Sequence, residues 1–307
     1  MRPTETAILF DVQHMCLQDG PGVRTGLFFK GCPLRCQWCH NPESYEMGVQ
    51  LLFNASRCVG CGECAAACPN GAQISNGKGR RIDRERCAAC GLCVERCCYN
   101  ALSLVGRRYT VDELWAEVEG DRPYFGKADA EGDSGGVTLT GGEPMLQFLF
   151  VKAFLERRGD THVCMETSGF APTEHYLALL PMVDLFLMDY KATNPETHRR
   201  LCGQDNFLIR KNLDMLCEAG ARLVLRLPLI PGVNDDREHM EGIAALLSRY
   251  PAILRGEIMA YHRMGVGKNG QLGMEPALVD QPNASDGQKR EWLDALHGLG
   301  AERVVIG

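Results

Sequence analysis

Eight cysteines of this chain form two runs with identical internal spacing, and this repeat limits the possible folds more than any other feature of the sequence. The runs are Cys58, Cys61, Cys64 and Cys68, and Cys87, Cys90, Cys93 and Cys97. Each cysteine of the first run has a counterpart 29 residues later. Four pairs in one register are typical of a duplicated small unit. We therefore predict a compact cysteine-rich module within a longer chain.

The spacing within each run indicates iron–sulfur ligation. C-x2-C-x2-C-x3-C is the bacterial ferredoxin pattern, in which the fourth cysteine binds the cluster of the other run. The predicted ligand sets are Cys58, Cys61, Cys64 and Cys97 for one 4Fe–4S cluster, and Cys87, Cys90, Cys93 and Cys68 for the other. Cys98 follows the second run, where the first run has Pro69. Cys98 is either a free thiol or the ligand in place of Cys97, and the spacing favours Cys97.

Composition sets the class of protein. The chain has 307 residues, 16 of them cysteine, and a formal net charge of −6, which argues against a nucleic-acid-binding protein held by bulk positive charge. The first residues carry no apolar signal region, and no stretch approaches the roughly 18 to 20 apolar residues of a membrane span. We expect a cytoplasmic protein with no membrane partner, whose thiols bind metal in a reducing compartment.

Beyond the cysteine-rich stretch, short apolar runs alternate with helical patterns. Strands are predicted at residues 25–30, 137–140, 162–166, 185–189, 223–227, 257–261 and 304–306. Residues 146–158, 206–219 and 238–250 have apolar side chains at three- and four-residue intervals, which is typical of helices. This alternation predicts parallel βαβ units. The predicted fold class is α/β, a partial (β/α)6 TIM-like barrel with an inserted ferredoxin-like two-cluster domain.

The predicted division of the chain follows from the place of the insert. Residues 1–50 begin the barrel, residues 51–106 form the insert, and residues 107–307 complete the barrel.

A different cysteine motif follows the first predicted strand. Cys32, Cys36 and Cys39 have C-x3-C-x2-C spacing. Three cysteines can hold three irons of a 4Fe–4S cluster and leave the fourth iron without a protein ligand, and such an open position distinguishes a reactive metal site from a closed structural one. From spacing alone, a zinc site with His40 as the fourth ligand is the alternative.

Polar residues follow the later predicted strands, at the end where barrels have their active sites. They are Gly141, Gly142 and Glu143; Glu166, Thr167 and Ser168; Asp189 and Lys191; Arg226; and His262. Each of them alone has an ordinary structural explanation, such as a turn or a buried ion pair. Their shared position predicts an active site at this face.

These motifs, taken in order, resemble those of a known superfamily. The C-x3-C-x2-C loop, with an aromatic residue before its last cysteine, and the Gly-Gly-Glu-Pro segment at residues 141–144 resemble the radical S-adenosylmethionine (SAM) enzymes. Residues 19–25, 39–44, 189–191 and 261–265 resemble segments of the activating enzymes of glycyl radical enzymes. The insert resembles the two-cluster ferredoxin module of one subgroup of these activases. The resemblance covers nearly the whole chain.

The resemblance implies an activity and its cofactors. The cluster of Cys32, Cys36 and Cys39 would bind SAM through its open iron, and the insert would bring the total to three 4Fe–4S clusters. SAM would be cleaved reductively to a 5′-deoxyadenosyl radical, which takes a hydrogen atom from a glycine Cα of a partner glycyl radical enzyme.

The resemblance also implies roles for single residues. The SAM pocket would comprise Trp38, Gly141, Gly142, Glu143, Thr167, Ser168, Asp189, Lys191, Arg226 and His262. Trp38 lies either at the adenine edge or simply in the core. Asp19 would contact the glycine-bearing segment of the partner, and a monovalent cation is implied near Glu166 and Asp189.

The role of the insert has three interpretations. Residues 57–96 contain seven Arg or Lys and four acidic residues, so an acidic flavodoxin or ferredoxin that donates electrons would find a basic docking surface there. In the second interpretation, these basic residues only offset the negative charge of the clusters. The third interpretation is a docking surface for the partner enzyme.

Two other functions are compatible with these motifs. One is a radical SAM enzyme that acts on a peptide or small molecule and uses the insert clusters as auxiliary sites. The other is an electron-transfer protein, which would have no need of the C-x3-C-x2-C loop.

Overall fold

The computed structural model describes residues 5–75, 80–130 and 132–307. Thirteen strands lie within that part of the chain: β1 (Thr6–Cys16), β2 (Arg24–Phe29), β3 (Gln50–Phe53), β4 (Gln73–Ser75), β5 (Arg80–Ile82), β6 (Leu102–Val105), β7 (Arg107–Thr110), β8 (Gly136–Gly141), β9 (His162–Thr167), β10 (Leu185–Asp189), β11 (Leu223–Leu229), β12 (Ile253–Ala260) and β13 (Val304–Ile306). Its α-helices are α1 (Glu63–Ala66), α2 (Leu92–Glu95), α3 (Val111–Asp121), α4 (Phe148–Leu155), α5 (Thr173–Leu179), α6 (Pro195–Cys202), α7 (Phe207–Glu218), α8 (Arg237–Arg249), α9 (Val266–Leu272) and α10 (Asp286–Gly298). Short 3-10 helices lie at Pro42–Ser44, Ala55–Arg57, Arg122–Tyr124, Pro144–Gln147, Leu180–Met182 and Arg263–Gly265.

A nine-stranded sheet forms the body of the molecule. Its strand order is β13-β12-β11-β10-β9-β8-β2-β1-β7. The strands from β2 through β8 to β13 pair in parallel, whereas β1 is antiparallel to both β2 and β7. Among the described residues, β13 and β7 are the two edges and do not pair with each other, so the sheet is open rather than a closed barrel. The predicted partial barrel of six βα units with a final strand is confirmed.

Two strands of this sheet were missing from the sequence prediction. β1 and β7 lie on the antiparallel side of the sheet, where residues of both strands are exposed. A half-exposed antiparallel strand lacks the continuous apolar run that identifies a buried parallel strand such as β2, whose six residues are all buried. The predicted helix at 146–158 is a 3-10 turn followed by the shorter α4.

The insert preserves the cysteine repeat as a structural repeat. β3 pairs with β6 and β4 pairs with β5, both antiparallel, and α1 and α2 pack against each other. Gly62 and Gly91, 29 residues apart, precede these helices in the left-handed region at φ of 88° and 85°, where glycine is favoured. The duplicated module predicted from the spacing is therefore present in the fold.

No helix among the described residues combines the length and the apolar character needed to cross a membrane.

Candidate active site

A cavity of about 750 Å³ opens at the carboxyl ends of the parallel strands. The predicted residues that line it are Cys32, Cys36, Trp38, Cys39, Gly141, Gly142, Glu166, Ser168, Asp189, Lys191, Arg226 and His262. Asp19, Glu143 and Thr167 are not among its lining residues. The topology thus brings the cysteine loop and the polar residues of four strand ends to one volume.

Main-chain hydrogen bonds hold the cysteine loop on both sides. The N–H of Gly31 donates to Ser44 O at 2.6 Å, which fixes the two ends of the loop relative to each other. The N–H groups of Arg35 and Gln37 donate to the carbonyl oxygens of Cys202 and Leu201 at 2.7 and 3.0 Å. These acceptors are at the carboxyl end of α6, whose last carbonyl groups have no partner within the helix. The loop is thereby anchored to a helix distant in sequence.

The three thiols of the loop differ in their environment. Burial raises the pKa of Cys39 to about 11 and raises that of Cys32 as well. Cys36 differs, because a hydrogen bond from the Cys202 thiol lowers its pKa. All three line one cavity, and a coordinating metal would deprotonate each of them.

His40, the fourth ligand of the zinc alternative, lines the same cavity as the three cysteines. Its ring stacks on that of His262, with 3.8 Å between centroids and 22° between planes, and its Nε2 has no hydrogen-bond partner among the described residues. The geometry of His40 therefore leaves the zinc alternative open.

Gly141 and Gly142 let the strand end lie directly against the cysteine loop. A Cβ at Gly141 would lie 2.5 Å from Phe29 N, and one at Gly142 would collide with Gly31 O. Gly141 also has φ of 108°, which L side chains rarely adopt. The pair is thus required by close packing of two backbones at the edge of the cavity.

Glu143 is a buried structural acceptor behind the cavity wall. Its carboxylate accepts from Thr167 Oγ1 at 2.9 Å, from Ser168 Oγ at 2.6 Å, and from the N–H of Ser168 and of Met145. Burial raises the pKa of Glu143, and these donors oppose that rise. The carboxylate joins the loops after β8 and β9, so Glu143 and Thr167 position the wall rather than form its surface.

Arg226 lies among acidic side chains at the centre of the cavity wall. Its Nη1 donates to Glu166 at 3.1 Å, its Nη2 donates to Gln18 O at 2.7 Å, and carboxylates of Asp19 and Glu257 lie 3.9 Å away. Although burial opposes it, this acidic surrounding raises the pKa of Arg226. The guanidinium remains charged and its Nε has no hydrogen-bond partner among the described residues.

Asp189 and Lys191 form an ion pair that also lines the cavity. Lys191 Nζ donates to Asp189 Oδ2 at 2.6 Å. Burial opposes the charged form of Lys191, but Asp189 and the nearby Cys36 and Cys202 raise its pKa well above the usual value. The pair therefore holds an ammonium group, beside its carboxylate partner, close to the cysteine loop.

Residues 17–22, which include the predicted partner-contact residue Asp19, border the cavity and are held in place by Arg24. The Arg24 side chain is fully buried and donates to Pro21 O at 2.8 Å, Val137 O at 2.6 Å and Thr138 Oγ1 at 2.6 Å. Thr138 Oγ1 in turn donates to Asp19 O at 2.6 Å. The loop conformation is thus fixed by a buried cation.

In the insert, four cysteines line a small second cavity: Cys58, Cys61, Cys64 and Cys97. They are the ligand set predicted for one cluster. Cys97 packs against the core of the insert and accepts from the Ala101 N–H at 3.3 Å, whereas Cys98 is exposed. This geometry favours Cys97 over Cys98.

Cys68, assigned to the other cluster, sits in a cradle of backbone donors. The N–H of Ala72 lies 3.3 Å from its Sγ. Burial opposes ionisation, but the N–H groups of residues 70–73 lower the pKa of Cys68. A nest of N–H groups stabilises a thiolate, as an iron–sulfur ligand requires.

Several residues of this site were not identified from the sequence. Arg24 belongs to the segment 19–25 but was not assigned a role, and Glu257 and Tyr261 line the cavity. Tyr45 donates from its hydroxyl to Cys36 O at 3.1 Å. Lys30 is fully buried and its Nζ donates to Glu43 O and, at 2.9 Å, to Gln50 Oε1 at the start of the insert. A charged residue at the end of an otherwise apolar strand was the available signal for Lys30.

Comparison with known proteins agrees with this geometry. The Radical SAM superfamily profile matches residues 92–244, and a 4Fe-4S dicluster domain profile matches residues 50–98. SuiB of Streptococcus suis, solved with its precursor peptide SuiA, superposes with a TM-score of 0.52 over 90% of this chain and 46% of its own, at 10% identity, a likeness of fold alone. The profile match and the fold are those of a radical SAM enzyme.

Two relatives narrow this class. The chain is 40% identical to the trans-4-hydroxy-L-proline dehydratase activating enzyme of Clostridioides difficile, over 84% of this chain and 85% of the relative. It is 35% identical to the indoleacetate decarboxylase activating enzyme of Tractidigestivibacter scatoligenes, over 97% of both chains. The chain belongs to the family of glycyl radical enzyme activating enzymes.

Proposed function

We propose that Cys32, Cys36 and Cys39 hold the 4Fe–4S cluster that binds SAM, and that two further 4Fe–4S clusters occupy the insert. The observation that carries this proposal is the convergence of the three thiols, the Asp189–Lys191 pair and Arg226 on one cavity. The insert clusters take the ligand sets Cys58, Cys61, Cys64 and Cys97, and Cys87, Cys90, Cys93 and Cys68.

The chain is an activating enzyme and therefore acts on a partner glycyl radical enzyme. When bound, the reduced cluster and SAM supply an electron and a cleavable C–S bond, which yield methionine and a 5′-deoxyadenosyl radical that takes hydrogen from a glycine Cα. The residues of the chain bind, orient and shield these groups.

In this proposal some residues of the site face SAM and others position the cavity wall. Lys191 and Arg226 carry fixed positive charge and are suited to the carboxylate and ribose of SAM. Ser168 and His262 complete the polar lining, and Trp38 borders the same cavity. Gly141, Gly142, Glu143 and Thr167 act as positioning residues, since their contacts are to the loops that shape the cavity.

The monovalent cation near Glu166 and Asp189 remains a prediction that rests on the resemblance. In this structure Glu166 is paired with Arg226 and accepts from Thr140 Oγ1, and Asp189 is paired with Lys191. We assign no step of the proposed function to this cation.

Asp19 and its loop are proposed to receive the glycine-bearing segment of the partner. The loop borders the mouth of the cavity, with Leu17 largely exposed at 71%. Burial and the neighbouring Glu166 raise the pKa of Asp19.

The insert is proposed to accept electrons from a flavodoxin or ferredoxin in the cytoplasm. Among its basic residues, Arg57, Arg81, Arg86 and Arg96 are exposed, which supports docking of an acidic donor. Lys78, which was counted with them, lies outside the described residues. The division at residues 1–50, 51–106 and 107–307 is retained as part of this proposal.

Deuterium transfer tests the function directly. The reconstituted, reduced protein is incubated anaerobically with SAM and a candidate glycyl radical enzyme made with glycine deuterated at Cα. We expect deuterium in 5′-deoxyadenosine, by mass spectrometry, together with a glycyl radical doublet in the electron paramagnetic resonance (EPR) spectrum. Formation of unlabelled 5′-deoxyadenosine with every candidate partner would favour a peptide or small-molecule substrate instead.

A further inference from the structure

The two halves of the insert differ at one pair of equivalent cysteines. Cys64 and Cys93 are third in their runs, both are buried, and each lies in the first turn of a short helix, α1 or α2. The preceding glycines have nearly the same φ, so the backbone presents the two sulfurs in the same way. The side chains that face these sulfurs are not the same.

Arg80 faces Cys64. Its Nη1 donates to Cys64 Sγ, and its side chain lines the small cavity together with Cys58, Cys61, Cys64 and Cys97. Arg80 is the first residue of β5 and is half-buried, whereas the next residue, Arg81, is exposed. A guanidinium is therefore placed against one sulfur of one predicted cluster.

Gln73 faces Cys93. Residue 73 begins β4, the hairpin partner of β5, and its side chain is buried at 8% exposure. Its side chain lies near Cys93, but neither its Nε2 nor its Oε1 has a hydrogen-bond partner among the described residues. The equivalent sulfur of the second cluster thus has a neutral amide beside it in place of a guanidinium.

One backbone donor is the same in the two halves. The N–H of Ala72 approaches Cys68 Sγ at 3.3 Å, and that of Ala101 approaches Cys97 Sγ at 3.3 Å. Because the fourth cysteines are exchanged between the runs, each cluster receives one of these bonds. Arg84 also carries positive charge near Cys87, but its guanidinium donates to Leu51 O and, at 3.2 Å, to Gln271 O. Among the described residues, Arg80 therefore has the guanidinium that donates directly to a sulfur of the insert.

We propose that Arg80 makes the two insert clusters inequivalent, and that the cluster of Cys58, Cys61, Cys64 and Cys97 is the easier one to reduce. Hydrogen bonds to ligating sulfurs and local charge set the potential of such clusters. A charge-assisted bond is roughly twice as strong as a neutral one, and a positive charge stabilises the reduced cluster, which is the more negative form. An electron from a low-potential one-electron donor therefore rests mainly on the cluster beside Arg80. The inference depends on the proposed presence of two clusters in the insert.

A potentiometric titration followed by EPR tests this on the full reconstituted chain. Iron is counted first, and the couple that shifts when SAM is added is assigned to Cys32, Cys36 and Cys39. In the wild type we expect the remaining two couples to be separated. Arg80→Gln is expected to move the higher couple to lower potential, on the order of a tenfold drop in its reduced-to-oxidised ratio, which is about 59 mV for a one-electron couple. Arg81→Gln, one residue along the same strand, is the control and should move neither couple.

Each result decides between the alternatives. Unchanged couples in Arg80→Gln, with full iron content, would overturn the inference and leave the cluster assignment intact. An iron content and spectrum that show fewer than two insert clusters in the wild type would overturn both. If Arg80→Gln fails to hold its iron, Arg80→Lys is measured instead: two separated couples support a charge effect, and merged couples contradict it.

Discussion

The backbone N–H of Glu143 donates to the carbonyl oxygen of Gly31 across 2.8 Å. This bond joins the loop after β8 to the cysteine loop after β2. It forms because residue 142 has no side chain, since a Cβ there would collide with the same carbonyl oxygen. The position of the cysteine loop is therefore set by its parallel neighbour in the sheet.

Gly142→Ala is expected to displace the cysteine loop. SAM cleavage should fall at least tenfold, and the free energy of unfolding should fall by about 1–3 kcal/mol, the usual cost of overpacking. Gly120→Ala is the matched control, because Gly120 lies in α3 with open space around it and alanine favours a helix. Chemical denaturation and 5′-deoxyadenosine assays measure both effects. Equal behaviour of the two variants would contradict the role given to Gly142.

Cys97→Ser should remove the iron of one insert cluster, and Cys98→Ser should remove none. Cys97 is packed in the core of the insert with a backbone donor on its sulfur, whereas Cys98 faces solvent. Iron and sulfide analysis after anaerobic reconstitution distinguishes the two variants. Iron loss in Cys98→Ser with full loading of Cys97→Ser would reverse the ligand assignment.

Arg24→Met is expected to lower the free energy of unfolding by about 3–5 kcal/mol, because several buried carbonyl oxygens would lose the hydrogen bonds that the guanidinium donates to them. The loop at residues 17–22 should loosen with it, so glycyl radical formation should fall more than SAM cleavage does. Arg237→Met, at a side chain that is 90% exposed, should change stability by less than about 0.5 kcal/mol. Similar losses in both variants would argue against the buried network.

The buried side chain of His239 should make the stability of the protein depend on pH. Burial lowers its pKa to about 4, so the unfolded chain binds more protons than the folded one between about pH 4 and the ordinary value of 6.5. The contribution of His239 to the free energy of unfolding is fully present above pH 6.5 and is lost as the pH falls from 6.5 towards 4. At pH 5 the loss is about 2 kcal/mol. His239→Gln should flatten the decline in unfolding free energy between pH 7.5 and 5. Parallel profiles for the two proteins would show that His239 titrates normally.

The sequence predicted the parallel strands because a buried parallel strand has a local pattern, and the predicted cysteine ligand sets likewise depend on local spacing. Strand β10 was predicted at its observed bounds, since a buried parallel strand is a continuous apolar run. The pairing of Cys58, Cys61 and Cys64 with the distant Cys97 followed from the duplicated register, and the second cavity is lined by these four residues.

The sequence could not predict which of these residues line the cavity and which only support its wall. Glu143 and Ser168 both follow strand ends, but only the fold determines that the carboxylate turns away from the cavity to accept from the serine. The same holds for Arg24, whose acceptors come from β8 and from the loop before it. Such contacts depend on register between strands far apart in sequence.

The most direct test of the central claim is 5′-deoxyadenosine formation from SAM, measured by chromatography with anaerobically reconstituted, reduced protein beside its Cys36→Ala variant. The account predicts that the wild type forms 5′-deoxyadenosine, and that Cys36→Ala forms none while it retains both insert clusters by iron count and EPR. Continued SAM cleavage by Cys36→Ala, or its absence in a fully iron-loaded wild type with bound SAM, would contradict the assignment of Cys32, Cys36 and Cys39 as the site of radical formation.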